Sequence, residues 1–180
     1  MNGILAHRLG ADSVVITDGD SDAMVELRKN IVVNRNDEEE KTISAAQLIW
    51  GLDSSRAFLQ GASEKASVSL SSSQFSIIIA SDVIYSSIVI NPLFETVRTL
   101  LKHNGEFWMA FAVRKVPVTI DFVLQKAQDH GFGHELVDQQ IDGDGNGEDD
   151  VEGDPETGPV FIYVFRWDIK DINDATEIEG

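Results

Sequence analysis

Apolar residues recur along this chain in two alternating patterns, and their order predicts the architecture. Ile4, Leu5 and Leu9 are spaced for one face of a helix over Gly3 to Leu9, with Gly10 placed to end it. Ser13 to Thr17 follows as a strand whose Val14-Val15-Ile16 core is apolar throughout, as in a strand covered on both faces, and Asp18 closes it. Asp20 or Ser21 can cap a second helix, with Met24, Leu27, Ile31 and Val32 at core-facing intervals, running to about Asn34. Thr42 to Ile49 reads as a strand closed by Trp50-Gly51. Residues 52 to 74, rich in Ser, Ala and Gly and without a clear period, read as a long loop.

The second half is more regular. Phe75 to Ala80 has the strongest signature of a buried strand. A helix opens at Asn91-Pro92, with Leu93, Phe94, Val97, Leu100 and Leu101 on its apolar face and Asn104-Gly105 as its stop. Glu106 to Val113 is a strand, and Thr119 to His130 is a helix built on Phe122, Val123 and Ala127 and ended by Gly131. His134 to Gln139 and Val160 to Trp167 are strands with no helix between them, which favours an antiparallel hairpin over a crossover. The expected fold is therefore α/β and Rossmann-like: a mostly parallel sheet, helices on both faces, and a C-terminal antiparallel hairpin with one reversed strand at an edge. Residues 1–168 form the expected domain and 169–180 an acidic tail.

Charge narrows the choice of partners. Among 180 residues, 14 Lys and Arg stand against 31 Asp and Glu, a formal net charge of -17. Such a surface repels phosphate backbones and anionic membranes, so no nucleic-acid or membrane partner is expected, and a protein with a basic surface is. Part of that charge sits in the runs 37–40 and 142–156, which read as solvated loops. With no cysteine, thiolate metal sites, disulfides and cysteine nucleophiles are excluded. No apolar run is long enough for a membrane span and no signal-peptide pattern opens the chain, so a cytoplasmic or nuclear location is expected.

In open parallel sheets, ligands sit beyond the carboxyl ends of the strands. Three such ends carry suggestive chemistry: Asp18, then Trp50, then Ser81-Asp82-Val83-Ile84-Tyr85. A carboxylate at Asp18 can accept hydrogen bonds from both hydroxyls of a ribose, the Trp50 ring or its neighbouring backbone can flank a purine, and Asp82 with Tyr85 can line the reacting side. Singly, each residue has a structural explanation as a helix cap, an edge aromatic or a core tyrosine. Their recurrence at successive strand tips favours a site.

The segments Asn2–Ala11, Val14–Asp18, Leu27–Asn30 with Asn34, Leu48–Gly51 and Ser81–Tyr85 together resemble the class I, seven-β-strand S-adenosylmethionine-dependent methyltransferases, in the branch of protein-lysine methyltransferases. The most specific element is Asp82-Val83-Ile84-Tyr85, which matches the Asp/Glu-x-x-Tyr/Phe motif of that branch. The resemblance implies S-adenosyl-L-methionine as cofactor, with Asp18 on its ribose, Trp50 at its adenine, Gly3 as the last glycine of the cofactor turn and Ser81 beside it. It also implies Asp82 and Tyr85 as catalytic residues near the methyl donor and the incoming lysine amine. Members of the family begin with a strand and a Gly-x-Gly-x-x-Gly turn of which Gly3 alone stands here, so a sheet lacking its first strand is expected.

Two other functions compete. One is a cofactor-free, methyltransferase-like interaction module that binds a basic protein. The other is a nicotinamide-dependent oxidoreductase, since Asp18 could equally hold that ribose. Asp142-Gly143-Asp144-Gly145-Asn146-Gly147 matches the first half of a calcium loop, but position twelve is Gly153 where a bidentate Glu is required, so no metal site is expected there.

Overall fold

The computed structural model describes residues 2–34, 43–65, 74–113, 118–140 and 158–168. The half calcium loop, the acidic runs and the tail lie outside them. Among these residues, six strands and five helices follow in the order α1 (Asn2–Arg8), β1 (Val14–Asp18), α2 (Ser21–Asn34), β2 (Ile43–Gln47), α3 (Leu52–Lys65), β3 (Phe75–Ser81), α4 (Ile90–Leu100), β4 (Leu101–Ala112), α5 (Ile120–Asp129), β5 (Phe132–Gln140) and β6 (Val160–Trp167). A 3-10 turn, Ser87–Val89, leads into α4.

Local chemistry accounts for the boundaries. Gly10 stops α1 at φ 95°, and Gly131 ends α5 at φ 81°. The Asp20 carboxylate accepts from the amides of Asp22 and Ala23, which caps α2 and holds that carboxyl below its ordinary range. Thr119 caps α5 by accepting from the Phe122 amide.

The strands form two groups. β1 and β2 pair in parallel, and β3-β4-β6-β5 form a four-stranded sheet in which β3 and β4 are parallel and β6 runs antiparallel to both neighbours. The C-terminal hairpin is present, but its reversed strand is not at the edge: β6 lies inside, between β4 and β5. Burial gives the reason. Val164 and Phe165 are fully covered, whereas β5 beyond Phe132 and Gly133 is exposed and suits an edge.

One face of β4 and β6 presents Phe107, Met109, Phe111, Tyr163 and Phe165 to α4 and α5, which contribute Leu93, Phe94, Val97, Val123 and Ala127. Phe94 sits at the centre, with ring centroids 6.1 Å from Phe107 and 5.7 Å from Phe165, both edge-on. This cluster is the main core.

Three further expectations are corrected. Residues 52–65 form a helix, α3, where a loop was expected. Ser55 is fully buried and meets Thr96 of α4, with half-buried Phe58 and Leu59 on the same face, so a serine interrupts the apolar spacing a periodicity argument looks for. The helix expected to run to Asn104-Gly105 ends at Leu100, and β4 begins at once with an irregular register against β3. Gly105 serves close approach there: a Cβ would fall 2.8 Å from the Leu101 side chain and 2.9 Å from the Ser76 carbonyl oxygen. Finally, β3 reads as fully buried, yet Ile77 is 58% and Ile79 51% exposed. Their face has no helix over it among the described residues, and β3 pairs only with β4. Leu5 on α1 and Leu9 just after it are likewise exposed.

Candidate active site

β1 pairs with β2 in one sheet and β3 with β4 in the other, both in parallel. In open α/β sheets, ligands sit in a crevice outside the carboxyl ends of the strands. Asp18 ends β1, and Ser81 ends β3, so each stands at the carboxyl end of its strand.

Asp18 is exposed and its Oδ1 accepts from the Asp20 amide at 2.9 Å, which orients the carboxylate. The Asp18-Gly19 turn lies against the turn after β2. The Leu48 amide donates to the Asp18 carbonyl, the Gln47 side-chain amide donates to the Gly19 carbonyl, and a Cβ on Gly19 would meet the Leu48 carbonyl oxygen at 3.6 Å. Sequence reasoning passed over Gln47, whose polar side chain at a strand end was its only signal. Trp50 is half-buried and packs on the main core beside the cluster that includes Ile84. The backbone of Leu48 and exposed Ile49 is thus the part of this turn that lies against Asp18 and Gly19.

Gly3 lies within α1, not in a turn. Its Cα faces β1 so closely that a Cβ would fall 2.5 Å from Ile16 Cγ1. What the structure shows for Gly3 is close helix–strand packing, the role assigned to the last glycine of a dinucleotide-binding fingerprint.

Beyond β3, Ser81 is exposed and Asp82 takes φ 53°, the single non-glycine residue with positive φ among those described. Asp is one of the few residues that tolerate this region, and strained backbone of this kind concentrates at functional sites. The Asp82 amide donates to the Ala110 carbonyl at 3.0 Å, tying the turn to β4. The Tyr85 hydroxyl, on a side chain 54% exposed, donates to Asp82 Oδ2 at 3.1 Å. Residues 82–84 and 109–112 line a shallow depression beside this pair. The structure therefore brings Asp82 and Tyr85 together, and separately brings Asp18 beside the 48–51 turn.

This donor set suits an adenosyl cofactor at its nucleoside end: an oriented, solvent-facing carboxylate for a diol, and an adjacent turn for the base. Solved structures agree on the fold. The chain is similar to a glycopeptide N-methyltransferase, MtfA, determined with sinefungin (14% identity, TM-score 0.56, covering 91% of this chain and 80% of that one). It is also similar to a TehB-like SAM-dependent methyltransferase from Corynebacterium glutamicum (14%, TM-score 0.52, 92% and 73%). The fold is that of the Rossmann-like methyltransferases, the class whose cofactor is S-adenosyl-L-methionine. More narrowly, residues 1–130 match the lysine methyltransferase family model, and the chain belongs to that family. No curated protein sequence matches it. The chain spans 66% and 64% of the first two solved structures it matches. No helix among the described residues is long and apolar enough to cross a membrane.

Proposed function

We propose that this chain transfers the methyl group of S-adenosyl-L-methionine to a lysine of a protein with a basic surface. The observation that carries the reading is the Tyr85–Asp82 hydrogen bond, built on a left-handed residue at the tip of β3. The family membership and the net charge of -17 support it. Methyl transfer from a sulfonium needs an aligned, neutral amine and negative or π density near the cationic centres. Asp82 supplies the carboxylate and Tyr85 the ring, on a side chain that is 54% exposed. Asp18 holds the ribose, the 48–51 turn flanks the adenine, Ser81 lies beside the cofactor, and Gly3 lets α1 sit close on β1.

Incubating the protein with radiolabelled S-adenosylmethionine and a basic protein such as histone tests this. Label in lysine that depends on Tyr85 is expected. Cofactor binding without any transfer to lysine-bearing substrates would overturn the lysine assignment. A second reading, the cofactor-free module for a basic partner, draws on the acidic surface implied by the net charge of -17. It predicts no binding heat with S-adenosylhomocysteine.

A further inference from the structure

Thr96 is an oddity on α4. It lies on the buried face among Leu93, Phe94, Val97 and Leu100 and is only 5% exposed. A valine has the same shape and no hydroxyl to desolvate, so a hydroxyl here calls for a partner.

It has one in the turn after β2. The Gly51 amide donates to Thr96 Oγ1 at 2.8 Å, and Thr96 Oγ1 donates to the Pro92 carbonyl at 2.9 Å. Ser55, fully buried on α3, donates from Oγ to the Gly51 carbonyl at 2.7 Å, with its hydroxyl 3.1 Å from that of Thr96. Glu95 Oε2 accepts from the next amide, Leu52, at 3.3 Å. Gly51 itself sits at φ 130°, a conformation other residues rarely adopt. Both polar groups of the Gly51 peptide neighbourhood are thus held by buried hydroxyls from two helices. The upstream half of the same turn is tied to Asp18 and Gly19, as described above.

α4 also begins immediately after the Asp82–Tyr85 turn, through the 3-10 turn that Ser86 caps by accepting from the Ile88 amide. One helix therefore follows the Asp82–Tyr85 turn through the 3-10 turn and meets the 48–51 turn at Thr96.

We infer that Thr96 is a positioning residue for the nucleoside end of the cofactor crevice. Through Gly51 it fixes the 48–51 turn at a set distance from the Asp82–Tyr85 pair, with Ser55 as its second anchor. This rests on the cofactor reading proposed above. Thr96 touches no ligand; it acts through Gly51.

The test compares two substitutions with opposite losses. Thr96→Val keeps the shape and removes the hydroxyl, while Thr96→Ser keeps the hydroxyl and removes a buried methyl. Titration with S-adenosylhomocysteine, corrected for the folded fraction, is expected to show about tenfold weaker binding in Thr96→Val and near wild-type binding in Thr96→Ser. Amide exchange at Gly51 should accelerate in the first and not in the second, even though both lower the melting temperature. A merely structural threonine would make affinity indifferent to both changes, and that result overturns the inference. Should Thr96→Val not fold, Ser55→Ala is expected to weaken binding in the same direction, and unchanged affinity there overturns it equally. Wild-type protein that binds no S-adenosylhomocysteine would defeat the cofactor reading itself. Wild-type binding with equal binding by the variants defeats only the role of Thr96.

Discussion

The β3-β4-β6-β5 sheet and the β1–β2 pair are built to different standards. The first is sealed by α4 and α5 over Phe94, Phe107, Phe132 and Phe165, all essentially without exposure. The second, with α1 and α2, buries Met24, Ile31 and Leu48 and leaves Leu5, Leu9, Val32 and Val33 exposed. Yet Gly3 and Asp18 belong to the second, while Trp50 and Gly51 of the 48–51 turn are held against the first by its core and by Thr96. The proposed ribose-binding residue thus sits in the less tightly packed part, and the proposed reacting pair, Asp82 and Tyr85, just beyond the edge strand of the tighter one. Local stability follows local burial, so native-state amide exchange should find β1 and β2 opening at lower free energy than β4 and β6.

The sharpest way to break this contrast is in the core. Phe94→Ala removes the central ring and should cost about 3–5 kcal/mol, lowering protection across the whole four-stranded sheet in denaturant titration and exchange. Met24→Ala should cost less, about 2–3 kcal/mol, and loosen α2, β1 and β2 while β4 and β6 keep their protection. Loss of protection spread evenly over both groups would show that they are one cooperative unit.

Tyr85→Phe removes a hydroxyl from an exposed side chain. It should leave stability within about 0.5 kcal/mol and S-adenosylhomocysteine affinity within about twofold, while lowering turnover about tenfold. Equal losses in affinity and turnover would move Tyr85 away from the reacting centre.

The smallest expected effect is electrostatic. His130 stacks on Phe94 with centroids 6.0 Å apart, and its Nε2 lies 3.4 Å from Asn91 Oδ1. Burial, the largest influence, holds the ring below its usual 6.5, against the opposing pull of Glu95 and Asp129 and with the help of Arg98 and Lys126. A histidine depressed in the folded state makes stability fall as pH drops below 6.5, because the unfolded chain takes a proton the folded ring resists; the loss levels off once the folded ring is protonated too. Between about pH 7.5 and 5.5, the wild type should therefore lose stability relative to His130→Gln in urea titrations, and parallel profiles would count against this.

The same contrast marks how far the sequence could be read. Where apolar residues repeat and are covered, as in α4, α5, β4 and β6, the pattern predicts each element and the hairpin. It does not predict α3, because its fully buried position is Ser55, a polar break in the spacing that half-buried Phe58 and Leu59 continue. It also misassigns Gly105, since a glycine needed for close approach and one needed to stop a helix are written with the same letter. Ile77 and Ile79 look buried because apolar runs report what a strand is suited to and not what lies over it. At the proposed site, strand-tip position together with the Asp82-Val83-Ile84-Tyr85 motif singled out Asp18, Asp82 and Tyr85. The contribution of Gln47, Ser55 and Thr96 depends on contacts 28 to 45 residues apart in the chain, which no local pattern encodes.

The central claim is that Asp18 holds the ribose of S-adenosylmethionine at the carboxyl end of β1. It is tested most directly by calorimetric titration of S-adenosylhomocysteine into wild-type and Asp18→Ala protein, with thermal melts alongside. The account predicts binding by the wild type, affinity reduced about 10- to 100-fold in the variant, and melting temperatures that nearly coincide. Equal affinity in two folded proteins would contradict it.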